Sequence, residues 1–379
     1  MVQRRVAHVL TPGDHYSPRT GSAVPTVVHG LASVVPTGAV RDTVVLARGT
    51  YADRYDSADI VEYVQRAPRP WDRYIDAGLS RLGLPRAASR ASYAAALGDQ
   101  AAWDPSYVLL HNAPQAVPLV DADRHVPVVY AHNELFRTYS EREAGRTLDH
   151  AGAVLCVSEF LAERTASQLP PSLRDRVQVV LNGVDTELFR PRDDGRAGSR
   201  FELLFVGRML PVKGPDVALQ AVLTLPSDLD VHLTLVGSRG FDAADRLTPF
   251  ERSVRRVATE LGDRATVLPF LPRDQVAALM READVVVVPS RWDEPFALTA
   301  LEGLASGAVV VGARVGGIPE AVGDAGILVP PGDPGALGKA IAELARASSL
   351  DRRRSAARKH ALAHGWATSR RQLAEALRD

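Results

Sequence analysis

Cys156 is the only cysteine in the chain, so an internal disulfide is excluded and a cysteine-based structural zinc site has no ligands to draw on. A reducing, cytoplasmic setting is the expectation. An excess of either charge is also missing, since 45 Lys plus Arg balance 45 Asp plus Glu, and no global field recruits polyanionic nucleic acid. No run approaches the roughly 20 apolar residues that cross a bilayer. The opening MVQRRVAHVL reaches Thr11-Pro12-Gly13 after only a short apolar strand, without the apolar stretch and cleavage site of a signal peptide. Repeats of the solenoid type and low-complexity tracts are likewise absent.

What remains is an ordinary globular composition, 46% hydrophobic and 24% charged over 379 residues. That length exceeds the roughly 100–150 residues of a typical domain, so two cores are expected. Short β-branched runs alternate with longer amphipathic stretches: RVAHVL, DTVVLA, YVLL, VPVVYA, AVLCVS and VQVVLN. This rhythm predicts βαβ units around a parallel sheet. After the charged, Gly-containing stretch at 190–200, which reads as a linker, the pattern restarts with FELLFVG, VHLTLVG, ATVLPF, ADVVVVPS and AVVVGAR. The fold class is therefore α/β, with two Rossmann-like lobes. Residues 340–379 read as helical, with Gly365-Trp366 as a break before a last helix that packs back on the body.

Chemistry concentrates in ADVVVVPSRWDEPFALTALEGLASGAVVVGARVGGIPEAV at 283–322. An apolar strand runs into a short loop, Pro295 stands where a helix prefers its first residue, and Gly307 closes that helix. A helix N-terminus at the carboxyl end of a parallel strand favours a phosphate. Glu302 follows Pro295 by seven residues, about two turns, beside the apolar stripe of Leu298, Leu301 and Leu304. A carboxylate there needs partners, which a ribose diol would supply, while Glu294 would receive hydroxyls of a sugar on the same line. Taken singly, such glutamates are ordinary helix acids.

In this context the pair closely resembles the E-x7-E signature of glycosyltransferase family 4, a retaining family with the GT-B fold. VGRMLPVKG at 206–214 is similar to the family's G-R-x-x-x-x-K-G segment, VVLNGVDTELFRP to its passage into the second lobe, AVLCVSEF to its A-V-S segment, and Trp366 to its aromatic near the final helix. The resemblance covers the second lobe nearly end to end and the first in patches. It implies a cleft between lobes, with an acceptor lobe at 1–187, a nucleotide-sugar donor lobe at 188–362 and a returning helix at 363–379.

By the same resemblance Arg208 and Lys213 neutralise the donor diphosphate, Glu294 and His132 attend the sugar, and Gly21, Leu271, Phe296, Ala297, Leu298 and Glu302 line the nucleotide-sugar site. His111, in the similar VLLHN, is the weaker histidine candidate. Both basic side chains are expected to line an open cleft. Departures are Thr20 for the first glycine of the loop after the first strand, Ala297 for Gly, Gly303 for Ala and Ala308 for Pro. Asp121-Ala122-Asp123 matches a bare DxD, but such a triplet is common in loops, and no metal is required on this reading.

The implied reaction is transfer of a hexose or N-acetylhexosamine from a nucleoside diphosphate sugar, UDP on family frequency, to a hydroxyl of a small-molecule acceptor such as an aminocyclitol. A GT-B epimerase, a pseudo-glycosyltransferase and a non-catalytic nucleotide-sugar-binding module are the alternatives. A Rossmann oxidoreductase is disfavoured because the first loop lacks G-x-G-x-x-G. The stretch 66–90, with six arginines against two aspartates, reads as a solvated helical face, with contact to an anionic lipid or acidic acceptor as the alternative.

Overall fold

The computed structural model describes residues 4–36, 38–66, 69–192, 200–241 and 246–378. Most of the linker expected at 190–200 lies outside the described residues. The chain divides into two units, Met1–Asn182 with Ser369–Asp379, and Gly183–Thr368.

The first unit holds β1 (Arg5–Val9), β2 (Thr43–Ala47), β3 (Asp59–Tyr63), β4 (Ser106–His111), β5 (Val126–Ala131), β6 (Ala153–Cys156) and β7 (Val177–Val179). Among the described residues they form one parallel sheet in the order β3-β2-β1-β4-β5-β6-β7. The second unit holds β8 (Phe201–Val206), β9 (Val231–Val236), β10 (Ala265–Leu268), β11 (Val285–Val288), β12 (Val309–Ala313) and β13 (Ile327–Val329). Its parallel sheet runs β10-β9-β8-β11-β12-β13.

Helices cover both faces, so central strands are apolar at nearly every position; all four valines of β11 are buried. The runs recognised in the sequence become β1, β2 and β4–β12. β3 and β13 were not recognised. Both are edge strands, half-exposed or short, and carry neither a continuous apolar run nor a clear alternation.

In each unit the chain builds two strands outward on one side and then returns to the other side of the first strand. The switch points are β1/β4 and β8/β11. Loops leaving the carboxyl ends of these neighbours diverge, which opens a crevice where α/β proteins take ligands. The last helix, Trp366–Ala376, is tied to the first unit by Gln372, whose Oε1 accepts from the Leu181 N–H at 3.0 Å, and by an Arg370–Asp42 ion pair.

Candidate functional site

At the β8/β11 switch point the loop after β8 is pressed against the end of β11. Gly214 has φ +73°, and a Cβ there would lie 2.1 Å from the Pro289 carbonyl oxygen; both the left-handed backbone and the contact require glycine. This places Lys213 so that its ammonium donates to both carboxylate oxygens of Glu294, at 2.7 and 2.8 Å. Ser290 Oγ donates to Glu294 Oε1 at 2.6 Å, and the Trp292 ring lies 5.4 Å from Lys213 Nζ. Glu294 is buried, whereas the Lys213 side chain keeps 24% of its exposure. Gly316, at φ +58°, and Gly317 lie on the backbone of Glu294 and Pro295: a Cβ on Gly316 would meet Glu294 N at 2.4 Å. The Gly317 N–H donates to the Glu294 carbonyl at 2.7 Å.

Pro295 is not the first residue of the following helix, contrary to the sequence expectation. The helix spans Leu298–Ala305 and its cap is Ala297, at φ 79° and ψ 73°. A left-handed residue cannot continue a right-handed turn, so Pro295 and Phe296 stay in the loop. Glu302 is therefore one turn into the helix. The glycine expected from family resemblance at 297 now has a physical reason: the position is left-handed, and the alanine there carries strain of about 1–2 kcal/mol. Gly303 has one too, since a Cβ there would stand 2.9 Å from Val286 Cβ and push the helix off β11.

Glu302 is buried and already paired: Arg273 Nη2 donates to its Oε1 at 2.7 Å. The Arg273 guanidinium also lies 5.1 Å from the centre of the buried Phe189 ring. Sequence reasoning missed Arg273, because 29 residues separate it from Glu302 and only the packing of the helix Arg273–Glu282 joins them.

Of the other expected donor residues, Arg208 is exposed, and among the described residues no ion pair holds it. Phe296 is buried at 3%; Leu271 and Leu298 are half-buried. In the segment NGVDTELF, Arg358 donates to the carbonyls of Phe189 at 2.9 Å and Thr186 at 3.1 Å. A Cβ on Gly183 would collide with the Trp366 backbone at 2.7 Å, so these motifs serve packing. In the first unit Gly21 is exposed, one residue before the Ser22 cap of the helix Ala23–Ser33. Asp121 accepts from the Asp123 N–H at 3.2 Å within its own turn. Cys156 is buried, and burial pushes its thiol up to about 11. In the Arg-rich segment, Arg86 donates to the buried Glu143 at 2.8 Å, while Trp71, Tyr74, Ile75 and Leu82 are exposed. Among the described residues no helix is long and apolar enough to cross a membrane.

His132 lies just past β5, and the structure places it in a row of three. His8 on β1 is in register with Leu109, and His111 at the end of β4 is in register with Tyr130. Each histidine therefore stands two residues further along than its neighbour, on the same face by strand alternation. His132 Nε2 is 2.8 Å from His111 Nδ1, His111 Nε2 is 2.9 Å from His8 Nδ1, and His8 Nε2 is 3.3 Å from Asp42 Oδ2. Arg370 Nη2 donates to Asp42 Oδ1 at 2.9 Å. Burial raises the Asp42 carboxyl, but the hydrogen bond from His8 and the Arg370 guanidinium outweigh it and hold the group below its usual range. Burial, reinforced by neighbouring imidazoles, drives His111 well below its ordinary value and His132 down to about 3. His132 is thus neutral and supplies no positive charge; it offers a hydrogen bond instead.

A cation and an acid paired where the loops leaving β8 and β11 diverge form an arrangement that can take a ligand carrying phosphates and hydroxyls. Residues 189–361 match the family Glycosyl transferases group 1. The chain is 40% identical over 186 residues to a D-inositol 3-phosphate glycosyltransferase of Acidothermus cellulolyticus, covering 45% of this chain and 40% of that one. It is 34% identical over 283 residues to one of Streptomyces scabiei, covering 68% and 62%. The chain spans about half the length of the relatives it matches. Among solved structures, Anabaena HepE in complex with UDP superposes with a TM-score of 0.74 at 20% identity, over 99% of both chains. Sucrose-phosphate synthase from Thermosynechococcus elongatus superposes with a TM-score of 0.74 at 18% identity, over 99% of this chain and 98% of that one. The second unit carries a group 1 glycosyl transferase domain, and the chain as a whole shares the GT-B fold of these solved structures.

Proposed function

We propose that the protein is a retaining glycosyltransferase that moves a hexose or N-acetylhexosamine from a nucleoside diphosphate sugar, with UDP as the nucleotide, to a hydroxyl of a cyclitol-type small molecule. The observation that carries this reading is the Lys213–Glu294 pair at the β8/β11 switch point. A diphosphate entering that crevice competes with Glu294 for the ammonium and leaves the carboxylate free to accept sugar hydroxyls. Glu302 keeps Oε2 available beside Arg273 for a ribose diol. The cyclitol class is suggested by the D-inositol 3-phosphate glycosyltransferases it resembles, and UDP by the ligand of HepE.

In the proposed step the bond between the anomeric carbon and the β-phosphate oxygen breaks, and the acceptor oxygen bonds that carbon on the same face. The acceptor's proton passes to the departing phosphate. Lys213 and Arg208 stabilise the charge that grows there, and their fixed cations make a divalent metal unnecessary.

The test combines calorimetry with UDP in the presence of chelator and turnover assays over UDP-hexoses, UDP-N-acetylhexosamines and a panel of cyclitols and their phosphates. Metal-free UDP binding and acceptor-dependent release of UDP with a glycoside product of retained configuration are expected. UDP binding that needs magnesium or manganese overturns the metal-free site. Sugar-nucleotide isomerisation without acceptor identifies an epimerase, and binding without any turnover a binding module.

A further inference from the structure

Three buried histidines in one hydrogen-bonded line, each with a single N–H, have only two self-consistent proton arrangements, and the end of the line decides between them. Asp42 is that end. Its carboxylate is held in the ionised form by the hydrogen bond from His8 and by the Arg370 guanidinium and can only accept, so His8 Nε2 must carry the proton of the 3.3 Å contact. Arg370 already meets the Asp42 charge from two nitrogens, so each imidazole of the row is given a single N–H; on that premise His8 Nδ1 is an acceptor and His111 Nε2 donates to it across 2.9 Å. The same step repeats: His111 Nδ1 accepts, and His132 Nε2 donates across 2.8 Å.

We infer that Asp42, acting through His8 and His111, fixes His132 as the Nε2–H tautomer and so presents His132 Nδ1 as a hydrogen-bond acceptor to a ligand hydroxyl. His132 Nδ1 is a buried atom with no hydrogen-bond partner among the described residues, at a residue only 6% exposed, which is the condition a hydroxyl donor relieves. The row is rigid. His111 stacks on Tyr130 and His132, with centroid separations of 5.3 and 5.1 Å, and the backbone N–H of His132 donates to Asn112 Oδ1 at 2.8 Å. Asp42, His8 and His111 are positioning residues that act on His132. The tautomer follows from first-unit geometry alone; only the nature of the hydroxyl-bearing ligand rests on the proposed function.

The test is long-range nitrogen–proton NMR of the full chain labelled with 15N-histidine. In the wild type, His132 Nδ1 is expected as a pyridine-type nitrogen and Nε2 as a pyrrole-type one, with the same pattern at His111 and His8. Protonation at Nδ1 of His132, or an imidazolium at neutral pH, overturns the inference. His111→Phe keeps a ring but removes the acceptor, and should give a mixed His132 tautomer; a single Nε2–H form in that variant shows that the row does not set it. Asp42→Ala should have the same effect from two histidines away, and the wild-type spectra decide the tautomer should that variant not fold. With a UDP-hexose or UDP-N-acetylhexosamine that binds, the Nδ1 resonance should shift as it accepts a hydroxyl, and with UDP alone it should not; binding without that shift overturns the ligand contact. Absence of binding by every sugar nucleotide sinks the proposed function, while the unliganded spectra still decide the tautomer.

Discussion

Lys213 and Glu294 are 81 residues apart in sequence, yet the ammonium of one donates to both carboxylate oxygens of the other. The cation expected to bind phosphate and the acid expected to bind sugar satisfy each other. On the proposed function, a ligand with its own charge and hydroxyls takes the place of each half of the pair.

That pairing separates two basic residues that read alike in the sequence. Replacing either Arg208 or Lys213 by Ala should lower kcat at least about 100-fold, comparable to removing a preorganised oxyanion donor. Stability should differ. Arg208 is exposed, so Arg208→Ala should leave the thermal midpoint in place. Lys213→Ala strands the buried Glu294 carboxylate and should cost about 1–3 kcal/mol. Differential scanning calorimetry and saturating-donor kinetics read both, and equal midpoints for the two variants would contradict the ion pair's role.

Glu302 is assigned to the ribose and not to the chemistry. Glu302→Ala should weaken UDP itself by about 1–3 kcal/mol, the scale of hydrogen bonds to a charged group, and Arg273→Ala should weaken it in the same direction by removing the guanidinium that orients Glu302. Unchanged UDP affinity by calorimetry, with collapsed turnover, would refute the assignment.

Ala297 sits at φ 79°, where glycine carries no Cβ penalty. Ala297→Gly should stabilise the second unit by about 0.5–1 kcal/mol, the relief of left-handed strain less the added entropy of the unfolded glycine. Denaturant unfolding measures it. A destabilised variant would mean that the Ala297 methyl contributes more packing than strain.

The buried histidines make the first unit sensitive to acid. His132 has a folded pKa of about 3 against about 6.5 unfolded, so below about 6.5 the unfolded chain takes a proton that the folded one refuses. Stability is complete above that value and falls with pH by about 1.4 kcal/mol per unit for this residue. Denaturation at pH 7 and pH 5 should show a loss of about 2 kcal/mol from His132, and His132→Phe should shrink the difference by that amount. The same pH slope in both proteins would show that His132 is not buried neutral.

Much of the fold was legible because it is local. β-Branched runs of four to six residues must be buried on both faces, and their alternation with amphipathic stretches leaves few architectures besides parallel sheets. β3 and β13 escaped because an edge strand needs no continuous apolar run. Glu294, Glu302, Arg208 and Lys213 were singled out by the resemblance of two short segments to a family's signatures, and the structure joins those segments through the Lys213–Glu294 pair. The start of the helix at Leu298 was not, since Pro295 carries the composition of a helix start and only the left-handed turn at Ala297 delays it. The pairings were not legible either. Nothing in RVAHVL, VLLHN or VVYAHN says that three histidines form one line, because strand order and register, set by packing of the whole sheet, bring His8, His111 and His132 within hydrogen-bond reach. Spacing along the chain carries information over a few residues. Contacts such as Arg273–Glu302, Asp42–Arg370 and Lys213–Glu294 depend on where separate elements come to rest, which is decided by the collective burial of a core and not by any one segment.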